Sequence, residues 1–340
     1  MLRRILKERH GINGGESFRI GKYEACLEKD RLYLLVPAGG LEDEYIRELE
    51  QLAAHYKKCG DNHVCQFLKT GGGETVIPWG GSRYCTLVVH IRKDRVRTVK
   101  QLGRKLAKFH YRGRLVSFPL KKIVQIGRWK SFWETRLEQM EKFWNEKLFA
   151  GPENDFEKMF LESFPYYLGL AENGIQYLTD TEIDEKPLFP DGGTVCHRRF
   201  HDGSWGGRFY FKNPFDWVFD HCGRDLAEWT RERYFHNIKT YERDVLRFYT
   251  DYQNFSPLSP FSWRLIYARL LFPLHFFDCV ENYYSAATEQ EKHLCHDRLQ
   301  RYLQYTKEHE QFLGSFFDLL QVPVRAWRIT VPEWLKRVKI

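Results

Sequence analysis

Strand-like and helix-like hydrophobic patterns occupy different parts of this sequence, and their order limits the folds that it can adopt. Residues 18 to 93 show short runs of alternating apolar residues, typical of strands, around one helical pattern at Leu41 to Lys58. Beyond them apolar residues recur every three or four positions, as in helices, except where residues 194 to 220 form short strand-like pieces. The sequence therefore predicts an α+β protein with a small antiparallel-sheet lobe (residues 1–93, including a leading helix) and a large, mostly helical lobe (residues 94–340).

The patterns also predict individual elements. The expected strands are Phe18–Leu27, Leu32–Val36, Val64–Leu68, Thr75–Pro78 and Tyr84–Ile91. In the helical part we expect two separate helices at Phe156–Leu170 and Ile175–Ile183, and one long helix over Glu289–Gln321.

The composition is that of a folded protein with a large core. The 340 residues carry 53 basic and 45 acidic side chains, a net charge of +8, which gives a mild preference for anionic partners and no indication of nucleic-acid binding. The longest apolar run, Ala268 to Phe277, is interrupted by Arg269, Pro273 and His275 and is too short to span a bilayer. The first residues lack the apolar core of a signal peptide, so we expect synthesis in the cytoplasm and no membrane partner.

One stretch carries most of the residues that are relevant to chemistry. It reads Cys-His-Arg-Arg-Phe-His at residues 196–201, and a strand pattern follows at Trp217 to Asp220. Residues 224–229 then read Arg-Asp-Leu-Ala-Glu-Trp. This order predicts a helix in which Asp225 is the N-cap and Glu228 completes a capping box.

The stretch resembles the catalytic centre of aminoglycoside-phosphotransferase-like kinases, whose catalytic loop reads His-Gly-Asp-x-His-x-x-Asn. In that superfamily a strand with a metal-binding Asp follows the loop, and then a helix that starts Asp-Leu-Ala. This sequence keeps His197, His201 and the Asp-Leu-Ala start at Asp225. Together with lobe order and length, these residues are similar to the kinase-like spore coat protein S group of endospore-forming bacteria, in particular its YutH branch.

The resemblance implies a bilobal protein-kinase-like fold and a place in the spore coat, with other coat proteins as partners. It also implies where catalytic groups should stand. The catalytic Asp falls at Arg199 and the metal-binding Asn at Ser204. By the spacing of the family, the metal-binding Asp falls at Asn213, with Asp216 and Asp220 as alternatives.

These replacements conflict with phosphoryl transfer, which needs positioned phosphates, a metal ion and a carboxylate near the attacking hydroxyl. A guanidinium such as that of Arg199 only donates hydrogen bonds and stays charged, so it neither accepts a proton nor ligates Mg²⁺. The loss of a positioned base alone costs about 10²- to 10⁴-fold in rate. The third strand (Arg31–Pro37) also lacks the nucleotide-binding lysine, and we interpret Glu44 and Glu48 on the next helix as solvated. We therefore expect no catalytic residue, no metal site and no cofactor.

The favoured function is that of a catalytically degraded kinase-like protein, a pseudokinase, which acts as a structural or interaction component of the spore coat. The alternative is a small-molecule phosphotransferase with atypical metal ligands, which would use ATP and Mg²⁺. Its missing carboxylates would have to come from Asp202, Asp216 or Asp220.

A third hypothesis is an anion-binding module. His197, Arg198 and Arg199 would then hold an anionic ligand in the remnant cleft, since charge-assisted hydrogen bonds are strong. The competing interpretation is that the arginines pair with internal acids such as Asp216 or Asp220.

Overall fold

The computed structural model describes residues 1–91, 100–205 and 209–336. Two compact units divide the chain: Met1–Gln125 with Gly193–Asp220, and Ile126–Gly192 with His221–Ile340. The predicted boundary between residues 93 and 94 lies outside the described residues.

The first unit is built on an antiparallel sheet. Its strands are β1 (Ser17–Ile20), β2 (Tyr23–Glu28), β3 (Arg31–Pro37), β4 (Gln66–Leu68), β5 (Val76–Trp79) and β6 (Ser82–His90). Their order is β1-β2-β3-β6-β4, and β5 also pairs with β6. A separate antiparallel pair consists of β7 (Thr194–His197) and β8 (Trp217–Asp220). The expected single strand at Phe18–Leu27 is a hairpin, because Gly21 adopts a left-handed φ of 55° and turns the chain.

Three helices accompany the sheet: α1 (Leu2–His10), α2 (Asp43–Lys58) and α3 (Leu102–Arg114). The apolar stripe of α1 packs on one face of the sheet. The buried members of this cluster are Leu2, Ile5, Leu6, Cys26, Tyr33, Leu35 and Ile77. Because side chains alternate along a strand, Leu32, Leu34 and Val36 of β3 point to the opposite face and are also buried.

The second unit is helical throughout its described residues apart from short turns and loops. Its helices are α4 (Trp129–Ala150), α5 (Asp155–Asp184), α6 (Gly223–His236), α7 (Glu242–Gln253), α8 (Pro260–Leu271), α9 (Leu274–Ser285), α10 (Glu289–Gln304), α11 (Thr306–Leu319) and α12 (Glu333–Lys336). No helix among the described residues is long and apolar enough to cross a membrane.

Two helix boundaries differ from the expectation. The residues expected to form two helices between Phe156 and Ile183 belong to one helix, α5. Gly174 lies in its middle because a Cβ there would stand 2.8 Å from the backbone nitrogen of Phe272, so glycine permits the close approach of α8. Conversely, the expected long helix over Glu289–Gln321 is divided at Tyr305 into α10 and α11.

A pair of buried histidines lies inside the helical unit. The rings of His275 on α9 and His309 on α11 have centroids 5.1 Å apart. Burial lowers the pKa of both, with the nearby charge of Arg231 acting in the same direction, and that of His309 falls to about 3. Both rings are therefore neutral at neutral pH.

These histidines predict a loss of stability in mild acid. A group whose pKa is lowered on folding binds its proton more readily in the unfolded chain, so acid favours unfolding. For each histidine the loss begins as the pH falls below the unfolded value of about 6.5, at up to about 1.4 kcal/mol per pH unit, and ends below the folded value. Urea unfolding at about pH 7.5 and about pH 5 measures this slope. His309→Phe should make it shallower, whereas replacing the exposed His293 by Gln should not; equal slopes in all three proteins would contradict the prediction.

Candidate functional site

His197 ends β7 inside an aromatic cluster. It is 3% exposed, and its Nε2 accepts a hydrogen bond from Nε1 of Trp205 at 3.0 Å. Since indole nitrogen is only a donor, the acceptor role of Nε2 is fixed. The rings of Phe109, Phe200 and Trp205 lie 4.8 to 5.3 Å from the imidazole. His197 thus braces the loop from within.

Arg198 and Arg199 are both exposed, unlike His197. A terminal nitrogen of Arg198 donates to the hydroxyl of Tyr45 at 2.6 Å, and its backbone N–H donates to the carbonyl of Asp216 at 2.7 Å. The carbonyl of Arg199 accepts a bond from Ser204 Oγ at 3.5 Å. The three residues predicted for anion binding therefore lie in different environments, and the accepting nitrogen of His197 is already used by Trp205.

A 3₁₀ turn at Asp202–Ser204 follows. His201 Nδ1 accepts the backbone N–H of Gly203 at 3.0 Å, and Ser204 Oγ accepts that of His201 at 2.9 Å. Asp202 opens the turn and is exposed. The hydroxyl at the metal-binding Asn position thus serves the turn itself.

The three candidates for the metal-binding Asp occupy different places. Asn213 and Asp216 flank a 3₁₀ turn before β8, whereas Asp220 is the last residue of that strand. Oδ1 of the buried Asn213 accepts the N–H of Phe215 at 3.1 Å. Asp216 lies 3.5 Å from the hydroxyl of Tyr23, and burial raises its pKa although nearby positive groups oppose the shift. Of the three, only Asp220 lies within a strand, and which of them corresponds to the metal-binding Asp stays a prediction.

The donor set at these positions does not fit a magnesium–nucleotide centre. Mg²⁺ is held by carboxylates together with phosphate oxygens. Of the positions that the resemblance assigns, those of the catalytic Asp and the metal-binding Asn are held by the cation Arg199 and the hydroxyl of Ser204. Only the remaining position has carboxylate candidates, Asp216 and Asp220, and Asp220 is completely buried.

The capping prediction for Asp225 and Glu228 is wrong. Helix α6 begins at Gly223, with Cys222 as N-cap and no side-chain capping bond. Asp225 therefore lies inside the first turn, where a carboxylate still favours the positive end of the helix dipole. The carboxylate of Glu228 instead accepts from Arg231 at 3.1 Å and from Arg269 at 3.0 Å.

A serine, a histidine and an aspartate meet beside the start of α6, but their bonding is structural. His221 Nδ1 accepts the N–H of Gly223 at 3.0 Å, so Nε2 carries the ring proton and faces Ser262 Oγ at 3.2 Å. Ser262 in turn donates to Asp191 at 2.6 Å. Burial alone raises the pKa of Asp191, but hydrogen bonds from His221, Ser259 and Ser262 outweigh it and hold the pKa at about 2. The hydroxyl is buried and already a donor, so this network locks the start of α8.

The interpretation of Glu48 as a solvated residue is wrong. It is buried on α2, and its two carboxylate oxygens accept four bonds of 2.8 to 3.0 Å from the backbone N–H groups of Lys121, Lys122 and Ile123. The glutamate that a kinase would pair with a lysine is thus used to hold the loop after α3.

Sequence reasoning missed a buried ion pair in the same unit. Lys212, 4% exposed, donates to Asp61 at 2.6 Å, and Arg112 donates to the same oxygen at 2.9 Å. Nζ of Lys212 lies 4.3 Å from the ring centroid of Trp205, and burial lowers its pKa. Burial alone raises the pKa of Asp61, but the two cations outweigh it and hold the pKa below its usual value. A lysine within the aromatic run Phe-Tyr-Phe-Lys at 209–212 was the available signal.

Residues 3–316 match a family model described as "Spore coat putative kinase YutH". The chain is also 36% identical over 338 residues to the endospore coat-associated protein YutH of Bacillus subtilis (strain 168), which covers 98% of each chain. The resemblance predicted from the loop and the Asp-Leu-Ala helix start is thereby confirmed.

Solved structures of kinases share the fold. An aminoglycoside phosphotransferase from Alicyclobacillus acidocaldarius has a TM-score of 0.63 at 14% identity, over 91% of this chain and 93% of that one. A spectinomycin phosphotransferase in complex with ADP and spectinomycin has a TM-score of 0.60 at 12% identity, over 89% and 93%. A microcompartment-associated aminopropanol kinase has a TM-score of 0.62 at 10% identity, over 94% and 98%. At these identities the likeness shows the fold alone, and it confirms the predicted kinase-like α+β class.

The role of Glu48 predicts a specific stability loss. In Glu48→Gln an amide NH₂ replaces one of the oxygens that face backbone donors, which should cost about 1–3 kcal/mol of unfolding free energy. Urea unfolding measures it. The matched control, Glu44→Gln at an exposed position one turn earlier, should change stability by less than about 0.5 kcal/mol. If both variants behave alike, the four bonds contribute nothing particular.

The buried ion pair predicts non-additive mutations. Asp61→Asn leaves Lys212 buried without its counter-charge and should cost about 3–5 kcal/mol. Adding Lys212→Met removes the stranded charge, so the double variant should be more stable than Asp61→Asn alone. As control, Asp30→Asn breaks only an exposed pair with His90 and should cost less than about 1 kcal/mol. A double variant no more stable than Asp61→Asn would rule out this account.

Proposed function

The chain belongs to the YutH family of spore coat kinase-like proteins, and on that premise we propose that it is a catalytically degraded kinase that serves as a structural or interaction component of the endospore coat. The observation that carries the proposal is Arg199, which stands where the resemblance places the catalytic carboxylate. A permanent cation at that point cannot accept the proton of an attacking hydroxyl.

The nucleotide side of the fold supports the same proposal. Along β3 the side chains on the face opposite α1 are Leu32, Leu34 and Val36, so this strand supplies no lysine for the phosphates of ATP. The only buried glutamate on α2, Glu48, is engaged by backbone donors. Both members of the lysine–glutamate pair that protein kinases require are therefore replaced or committed elsewhere.

The first hairpin also contacts the segment that follows the catalytic loop. The ring of Phe18 on β1 lies 5.8 Å from that of Phe209. Tyr23, at the start of β2, lies 3.5 Å from Asp216 through its hydroxyl. In kinases a loop at this place in the sheet covers the phosphates. Here its flanking residues contact the protein itself, which favours a structural role.

An interaction role also suits the surface. Phe189 is 88% exposed and follows Leu188, which is 58% exposed. Adjacent exposed apolar side chains of this size are typical of protein contact sites. We propose that the partners are other coat proteins, with cytoplasmic synthesis followed by incorporation into the coat, and that neither nucleic acid nor a membrane is bound.

One observation favours the alternative of an active phosphotransferase. Asp220 is the last residue of β8, and the resemblance implies a metal-binding Asp on this strand, so Asp220 would be one ligand for Mg²⁺ in an active enzyme. An enzyme would still need a base, and Asp202, exposed in the loop turn, is the candidate nearest in sequence to Arg199.

Nucleotide titration separates the two functions. Isothermal titration with Mg-ATP should give no saturable heat, and a coupled assay for ADP release in the presence of aminoglycosides and small amino alcohols should remain at the rate without protein. Saturable binding together with turnover that Asp202→Asn abolishes would sink the proposal. The variant Arg243→Gln, at an exposed position on α7, is the control for effects of substitution and purification and should behave as the wild type does.

Incorporation into the spore coat provides a second test of the proposed function. If the protein acts without catalysis, Arg199→Ala and Asp202→Asn should still be extracted from purified spore coats in wild-type amounts, as measured by immunoblot. Loss of both variants from the coat, with their folding intact by circular dichroism, would instead tie assembly to the chemistry of the loop.

A further inference from the structure

A groove of about 460 Å³ lies within the helical unit, between α6, α9 and α10. One wall consists of residues on α6 between Glu228 and His236, which lie one or two turns apart on the same face. The other wall is a face of α9 from Leu274 to Asn282. The volume is within the range of sites for small molecules, about 300–1,000 Å³. All residues that line the groove belong to the helical unit, and none is a loop residue on which the proposed function rests. Ligand binding in this groove is therefore independent of the proposed function.

Three aromatic rings line this groove. The centroids of Phe235 and His275 are 4.4 Å apart, those of Phe235 and Tyr302 4.7 Å, and those of His275 and Tyr302 4.9 Å. Phe235 and Tyr302 are only half-buried. Burial raises the pKa of Tyr302 to about 12, so its phenol stays neutral. A flat ring of a ligand bound at this wall would therefore make apolar contacts and edge or face contacts with the aromatic side chains.

His275 is a buried polar side chain of the groove, and one of its ring nitrogens is not hydrogen-bonded by the part of the chain that the structure describes. It is 7% exposed and lines the groove, and its Nδ1 makes no hydrogen bond within the described residues. Its pKa lies well below the usual value because of burial, so the ring is neutral and offers one donor and one acceptor. Leaving such a buried group unsatisfied is costly, and buried polar atoms normally have a partner.

The mouth of the groove carries two arginines on one side. Arg298 and Arg301 are exposed, lie three residues apart on α10, and act electrostatically on the phenol of Tyr302. Guanidinium groups bind carboxylates in a two-point geometry.

Three acidic side chains also line the groove, and two of them pair with cations, although Asp278 shares its cation, Arg136, with Glu281. Glu228 accepts from Arg231 and Arg269, and Asp278 accepts from Arg136 at 2.6 Å. Glu232 is the third, and it is exposed at the rim. The two arginines of α10 thus leave the mouth with an excess of positive charge.

We propose that this groove binds a small aromatic carboxylate with a polar ring substituent. The carboxylate contacts Arg298 and Arg301, the ring packs against Phe235 and Tyr302, and the substituent bonds the imidazole of His275. The arrangement selects an anion at the mouth, a flat body in the middle and a hydrogen-bonding group at the floor.

Titration of the full-length protein with 4-hydroxybenzoate tests the proposal, with binding followed by calorimetry and ligand-observed NMR. We expect saturable binding with a Kd of about 1 mM or tighter. Benzoate, which lacks the hydroxyl, should bind about 5- to 20-fold more weakly, since one hydrogen bond is lost. The cation 4-hydroxybenzylammonium, which has the same ring and the opposite charge, should not bind.

Variants locate the site. The double variant Arg298→Ala with Arg301→Ala should weaken 4-hydroxybenzoate binding at least about tenfold, because charged hydrogen bonds are lost. The double variant Arg243→Ala with Arg247→Ala removes the same charge from the exposed face of α7 and should bind as the wild type does. His275→Phe should abolish the preference for 4-hydroxybenzoate over benzoate, and it removes an unsatisfied group without leaving a cavity.

The proposal fails on any of three outcomes. These are no saturable binding by the folded wild-type protein, equal binding of the carboxylate and the ammonium compound, or equal loss of affinity in the two double-arginine variants. Circular dichroism of each variant shows that it is folded before its affinity is compared.

Discussion

The buried ion pair between Asp61 and Lys212 joins distant parts of the first unit. Asp61 follows α2, and Lys212 follows the catalytic-loop region 151 residues later. Backbone bonds run beside it, from Lys212 N–H to His63 and from Cys65 N–H to Lys212. A buried charge is tolerated only when paired, so this contact and the two backbone bonds together hold Lys212 against residues 61–65. Nζ of Lys212 also lies 4.3 Å from the ring centroid of Trp205, the residue that donates to His197.

The same unit keeps the framework of a kinase with different uses for its polar groups. Glu48 holds the backbone of residues 121–123, Ser204 closes a turn, and His197 accepts from an indole. Each of these groups satisfies an internal donor or acceptor. Polar residues at these positions therefore contribute to the stability of the fold, because buried polar groups need hydrogen-bond partners inside the protein.

Local patterns in the sequence predicted the sheet and α2, because alternation and helical periodicity reflect which face is buried, whereas the kinase-like class came from the family resemblance. They failed where the partner is remote. Nothing around Glu48 reveals that its acceptors meet N–H groups 73 to 75 residues away. Likewise, Asp225 and Glu228 fit the spacing of a capping box, but Arg269, 41 residues from Glu228, takes that carboxylate. Spacing along the sequence also left the end of β8 undefined, because strand pairing with β7 shows that the strand ends at Asp220.

Under the proposed function, the loss of catalysis is spread over several positions and is not a property of Arg199 alone. A carboxylate restored at that position would still meet a third strand without lysine and a Glu48 whose oxygens are engaged by three backbone groups. Releasing Glu48 would cost the bonds that hold residues 121–123, and those bonds support the chain beside β8 through Ile123 and Phe219. Under this proposal, the polar groups that stabilise the unit are those that a nucleotide site would need, and the same groups cannot serve both.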